Sequence, residues 1–285
     1  MKTVGSLSCL ALAIMAFAST AVSAATISGG AATFTLKKDN PGIQGIWKFD
    51  ALFDGNAPYN QIINWNYDTN SQNYPGNASF GTTTIAGVEH VVFGDPIRPH
   101  GVTPTPVSGR APQSTTLEFD PSVFSPASFL SAWSTSTVSG FNVGTQGEQI
   151  GFTNMTRWTP YNSTGSLVNG DFALRYAPSR IGGSKSGLVL ASYAAGFNST
   201  LFADLANVSI TFDGSSKSLS IVGDLLLGEG VSFWDAGATT GANIGTFSMT
   251  ATVVPEPTTA LLGLGASLLC GTVRMSKART RRQRS

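Results

Sequence analysis

Catalytic chemistry in this chain would have to be built around few groups. His90 and His100 are its two histidines. Neither stands at zinc-ligand spacing from other ligands, so no metal site is expected. A serine triad would need one of these imidazoles, but no Gly-x-Ser-x-Gly elbow is present to hold the nucleophile. Both histidines therefore read as structural or solvent-facing. Gly182-Gly183-Ser184-Lys185-Ser186 has the composition of a phosphate loop, yet its glycine and lysine are not adjacent. A flexible turn explains it better. Glu118 and Asp120 share one face of a strand candidate, and Asp50 and Asp54 lie close together, as a glycosidase pair or calcium site would require. Neighbouring acids on a solvated face are commoner, and no Asp-rich calcium loop accompanies them. The expectation is a protein without catalytic residues, metal or cofactor.

The most unusual segment is Asn56 to Asn77. Nine of its 22 residues are Asn or Gln, interleaved with Tyr59, Trp65, Tyr67 and Tyr74. Amides that both donate and accept, set beside flat apolar rings, are the groups that grip sugar hydroxyls and pyranose faces. This gives a carbohydrate-binding reading, with exopolysaccharide as the ligand. The competing reading, which the residues favour, is a long loop whose rings pack down and whose amides cap turns.

The elements that position these residues are strands. Phe247, Met249, Ala251 and Val253 alternate with Thr246, Ser248, Thr250 and Thr252, and this final strand runs straight into Pro255. Val208, Ile210 and Phe212 alternate with Ser209 and Thr211. Asp213 to Lys217 reads as a turn, and Leu219 and Ile221 resume the pattern, which predicts a hairpin. Further strands are expected at 32–36, 88–93, 114–119, 149–154, 172–176 and 188–193. Short helices are expected around 121–133 and 201–206. So many short strands separated by Gly, Asn and Pro predict an all-β fold, an antiparallel β-sandwich of jelly-roll-like form. Five of the fourteen prolines fall between Pro96 and Pro112. That stretch is either a linker between two halves or, in the preferred reading, a long surface crossover within one domain.

The chain's ends read differently. Lys2 precedes an apolar run from Leu7 to Phe17, and Val22-Ser23-Ala24 supplies small residues where a signal peptidase cuts. Residues 1–24 are thus expected to be a signal peptide, with a cut after Ala25 as the alternative. At the other end Pro255-Glu256-Pro257 is followed by sixteen uncharged residues, Thr258 to Val273. Arg274, Lys277, Arg279, Arg281, Arg282 and Arg284 then follow with no acid among them. At about 1.5 Å per residue a helix over the uncharged segment spans about 24 Å, slightly under a ~30 Å hydrocarbon core. Snorkelling Arg and Lys stems make up the difference, and the basic cluster stays cytoplasmic as a stop-transfer signal. Residues 255–285 are therefore expected to include one C-terminal transmembrane helix.

This tail resembles the PEP-CTERM sorting signal of Gram-negative bacteria. The resemblance rests on the Pro255-Glu256-Pro257 motif, the short apolar segment and the Arg-rich end, and covers only residues 255–285. It implies recognition of the tail by an exosortase, a membrane-embedded transpeptidase-like enzyme. It further implies anchoring in the membrane before processing, and a destination at the cell surface or in an extracellular matrix linked to exopolysaccharide and biofilm.

Setting the ends aside changes the composition. Lys2 and the six tail residues take seven of the 17 basic residues, leaving ten between residues 25 and 254. Glu256 takes one of the 16 acids, leaving fifteen. The expected ectodomain is therefore acidic by about five charges, with no basic stripe for nucleic acid. Cys9 and Cys270 also lie in the ends, so residues 25–254 contain no thiol and no disulfide. Charged residues are 12% of the chain, about half the usual share. Abundant Ser, Thr, Gly and Asn suit an extracellular all-β domain that acts as a structural or adhesive component.

Overall fold

The computed structural model describes residues 24–38, 47–63, 77–78, 80–160, 167–194, 199–234 and 239–255. Residues 1–23 (nearly all of the expected signal peptide), Trp65, Tyr67, Tyr74, Glu256, Pro257, the uncharged segment and the six basic tail residues lie outside them. Among the described residues no helix is long and apolar enough to cross a membrane.

The regular structure of the described residues is mostly antiparallel strands. In order they are β1 (Ala25–Lys37), β2 (Trp47–Phe53), β3 (Asn77–Ala78), β4 (Gly81–Ile85), β5 (Val88–Pro96) and β6 (Glu118–Phe119). Next come β7 (Val138–Ser139), β8 (Asn142–Val143), β9 (Ile150–Gly151), β10 (Met155–Pro160) and β11 (Leu167–Gly170). The last five are β12 (Ala173–Tyr176), β13 (Lys185–Ser192), β14 (Thr200–Asp213), β15 (Ser218–Leu227) and β16 (Asn243–Pro255). A twelve-stranded sheet has the path β4-β5-β1-β16-β15-β14-β13-β12-β9, and a second sheet has the order β11-β10-β2-β3. Residues Thr26–Val254 make one compact unit that includes the proline-rich stretch 96–112.

Alternation decides which side of each strand is covered. Phe247, Met249, Ala251 and Val253 of β16 are buried, whereas Thr246, Thr250 and Thr252 are exposed. The predicted hairpin is present: β14 pairs with β15 from Asp213↔Ser218 through Ser209↔Val222, across a turn at 214–217. Strand β1 is longer than the alternation at 32–36 indicates, because β16 continues beside its glycine-containing first half. Ser28 Oγ donates to Thr252 O at one end of this pair, and Lys37 Nζ to Asn243 O at the other. At Gly245, with φ +149°, a Cβ would overlap the Thr35 carbonyl oxygen, so only glycine allows this approach.

The expectation of a helix at 201–206 is not met, because this run is the first half of β14. Leu201, Phe202, Ala203, Asp204, Leu205 and Ala206 are all buried, so both faces are covered and the period-2 pattern disappears. The helix expected around 121–133 is present as a 3-10 turn, Pro121–Val123, and helix Pro126–Ala132. Ser125 caps the latter in a reciprocal pair with Ser128, and Pro126 fits its first turn. Two other short helices are Tyr59–Ile63 and Glu229–Trp234.

Aromatic rings join the two sheets, giving the fold its sandwich character. Phe34 stacks on Phe93 at 5.0 Å and meets Phe247 edge-on at 5.3 Å within the larger sheet. Phe49 of β2 stacks on Phe93 at 5.5 Å and meets Trp158 of β10 at 5.4 Å. Each fully buried ring contributes roughly 2 kcal/mol.

Candidate functional site

Two of the chain's passages between the sheets, at 152–154 (β9 to β10) and at 171–172 (β11 to β12), are bonded to each other. Phe152 N donates to Phe172 O at 2.8 Å and Asp171 N to Asn154 O at 3.0 Å. Asp171 adopts φ +43°, a left-handed conformation that aspartate tolerates better than most residues. Its carboxylate points inward, fully buried, and meets Arg110 from the proline-rich stretch.

Arg110 holds this corner together. Its Nε and Nη2 donate to Asp171 Oδ2 and Oδ1 at 3.0 and 2.6 Å. Nη1 donates to the carbonyls of Asp54 and Ala57 at 3.0 and 3.1 Å, and Nη2 to Thr153 O at 3.0 Å. All five guanidinium donors are used on three chain segments, which a lysine could not reproduce. Burial pushes the Asp171 carboxyl up, against the opposing pull of Arg110 and Arg98.

Asp95, near the end of β5, is the second buried acid of the corner. Its Oδ1 accepts from the backbone N–H groups of Thr153 and Asn154, both at 2.9 Å. Its Oδ2 and Arg98 Nη2 are buried without a hydrogen-bond partner. Arg98 Nε donates to Phe152 O at 3.2 Å, and its Nη2 lies 3.8 Å from Asp171 Oδ1. Burial, reinforced by the like charge of Asp171, raises the Asp95 carboxyl to about 7 despite its backbone donors. Burial likewise lowers Arg98. Two carboxyls and two guanidiniums thus face one another around a sheet-to-sheet corner.

Two further polar clusters are also turned inward. Arg175 of β12 is 2% exposed, and its hydrogen-bond acceptors are neutral. They include Tyr193 Oη at 2.8 Å, Ser136 Oγ at 3.1 Å, Gln146 O at 2.9 Å and the Gln149 side-chain oxygen. The Tyr193 ring lies under the guanidinium at 5.8 Å. Desolvation raises the Tyr193 hydroxyl, opposed by Arg175. Arg180 forks onto Asp204 at 2.8 and 2.5 Å and onto Glu229 at 2.9 Å, while Lys185 Nζ reaches Asp204 at 2.7 Å. Lys185 is thereby engaged by a carboxylate, and Gly182–Lys185 closes as a tight turn through Lys185 N to Gly182 O at 3.0 Å.

The residues singled out in the sequence are mostly separated. His90 is buried, with Nδ1 2.8 Å from Val88 O, and His100 Nε2 lies 3.3 Å from Glu118 Oε1. Glu118 and Asp120 do not share a strand face, because β6 ends at Phe119. Asp120 instead caps the following 3-10 turn by accepting from Ser122 N. Asp54 closes a local turn with Asn56 N at 2.8 Å. Tyr59 is partly buried against Ala51, Phe53, Ala57, Ile62, Met155, Val168 and Ala194, and its N–H donates to Ser108 O. Pro255, the first residue of the Pro255-Glu256-Pro257 motif, is the exposed last residue of β16. Among the described residues no group of three or more His, Cys, Asp or Glu side chains is placed to hold a metal.

Sequence reasoning missed the Arg110–Asp171 pair, whose members are 61 residues apart in no recognisable motif. The available signal was isolated charge in apolar or turn-forming surroundings, as in Gly170-Asp171-Phe172.

No protein-family model matches the sequence, and no curated protein is similar to it. A solved structure, the C-terminal domain of HtaA from Corynebacterium glutamicum, is similar at 9% identity and a TM-score of 0.34. The alignment covers 81% of this chain and 99% of that one, and a score of that size does not establish a common fold.

Proposed function

We propose that this chain is an exported cell-envelope or extracellular-matrix protein, sorted through a PEP-CTERM tail, whose β-sandwich is a structural or adhesive ectodomain. The observation that carries the reading is the order of residues 255–285: Pro255-Glu256-Pro257, an uncharged membrane-length segment, then six bases without an acid. The juncture supports it, because β16 leads into the motif without a linker and Pro255 is exposed. Proline lacks a backbone N–H and restrains the residue before it from helical conformation, so a Pro-Glu-Pro sequence suits capture by an exosortase-type enzyme. The inward-facing charge clusters suit a scaffold, and the ectodomain is read as non-enzymatic.

The test replaces Pro255-Glu256-Pro257 with three alanines and leaves the apolar segment and basic end intact. Export should continue, while processing stops and the longer form accumulates in the membrane. Deleting 255–285 should release the exported ectodomain. Unchanged processing of the triple-alanine chain would leave an ordinary tail anchor as the better description.

A further inference from the structure

The two ends of the large sheet are finished differently. At one end β9 is covered: Ile150 and Gly151 are buried, and Gly151 N donates to Thr115 Oγ1. Thr116 N and Leu117 N both donate to Gln149 O, and a Cβ on Gly151 would overlap Gln113 O. No further strand can add there. At the other end β4 pairs with β5 on one side, and all five residues, Gly81 to Ile85, are exposed.

The hairpin geometry identifies which backbone groups β4 presents. Ala86 and Gly87 have φ +50° and +79°, as expected of a two-residue type I′ turn. In that turn Ile85↔Val88, Thr83↔His90 and Gly81↔Val92 are the pairs that exchange hydrogen bonds. The N–H and C=O groups of Thr82 and Thr84 therefore point away from β5. None of these four groups is bonded among the described residues. Sheet edges are commonly guarded by lysine, proline, a bulge or a covering loop. Gly81-Thr82-Thr83-Thr84-Ile85 contains no charge and no proline, and its register with β5 is unbroken.

We propose that β4 is a self-association edge, through which two copies of this chain pair antiparallel about a two-fold axis at Thr83. Parity and chemistry select this register. Thr82 of one copy lies opposite Thr84 of the other, so all four free backbone groups of each strand are satisfied. A shift by two residues leaves half of them unmatched. Thr83 faces its own counterpart on the axis, and Ile85 lies across from Gly81, where no side chain competes for space. No like charges meet, because the strand is neutral and nearby Glu89 is already paired with Lys38 at 2.8 Å. Since β9 is covered, the association closes at two copies and does not grow into a fibre. This proposal is independent of the sorting tail.

The test uses the full chain in detergent with Cys9→Ser and Cys270→Ser as background. Thr83→Cys should form a disulfide-linked dimer on mild oxidation, because a non-hydrogen-bonded antiparallel pair brings the two Cα atoms to about 4.5 Å. Thr82→Cys, which faces Thr84 and not itself, should cross-link at least ten-fold less. Thr83→Lys in the otherwise unaltered chain should shift sedimentation toward the monomer. Equal cross-linking at 82 and 83, no cross-linking at 83, or sedimentation unaffected by Thr83→Lys would each overturn the proposal.

Discussion

Asp95→Asn isolates the electrostatic cost of the sheet-to-sheet corner. The substitution keeps an oxygen to accept from Thr153 and Asn154, and replaces the unpartnered Oδ2 with an uncharged amide. In the folded protein the Asp95 carboxyl titrates at about 7, against an ordinary value of 3.8. Between those values the native state holds a proton that the unfolded chain has released. Stability from this group is therefore fully present below about pH 4, falls as pH rises, and levels off above about 7. A displacement of roughly three pH units corresponds to about 4 kcal/mol. Asp171 is displaced in the same direction, whereas Asp213 is held low by Ser215 and Ser216 and Asp120 by Ser122, so their contributions run the opposite way. The wild-type curve sums all of these, but the difference between variant and wild type removes the shared terms. Urea unfolding followed by the fluorescence of buried Trp133 and Trp158, from pH 4 to 8.5, measures it. The variant should gain about 4 kcal/mol on wild type across that range, almost all of it below pH 7. A difference independent of pH would refute the assignment of a neutral-range carboxyl to this corner.

Arg110→Met should cost about 3–5 kcal/mol in calorimetric or urea unfolding, because Asp171 is left as an uncompensated buried charge. Arg110→Lys should restore less than half of that, since an ammonium cannot fork onto the carboxylate and reach three carbonyls. Gly245→Ala should cost about 3 kcal/mol through backbone strain, with hydrogen-exchange protection lost first along β1 and β16.

Parts of this structure are visible in the sequence where one face of a strand is wet. The exposed threonines of β16 mark its alternation, and Asp213 to Lys217 marks a turn between two patterned runs. Legibility fails where both faces are covered. Leu201 to Ala206 has no polar face, and the buried Asp204 within it offsets its charge against Arg180 and Lys185, which lie far from it in sequence. The polar corner is hidden for a related reason: Asp95 and Arg98 are neighbours at the end of β5, but Arg110 and Asp171 lie elsewhere in the sequence, and only the fold brings the three segments together. The paired acids Glu118 and Asp120 misled in the opposite sense. Their spacing implied a common face, but the strand ends between them and Asp120 turns to cap a helix.

The place of β16 in the large sheet has a consequence for how the protein folds. It lies between β1, the first strand of the unit, and β15. The contact from Ser28 to Thr252 spans 224 residues. A chain emerging from its N-terminus can form the β4-β5 hairpin and the β12-to-β15 meander, but it cannot join them into one sheet until β16 arrives. Such non-local closure is slow, and until it occurs the edges of β1 and β15 remain open to pairing with other chains. The central seam of the large sheet therefore cannot close before the final strand has been delivered, an arrangement that would suit the export proposed for this chain.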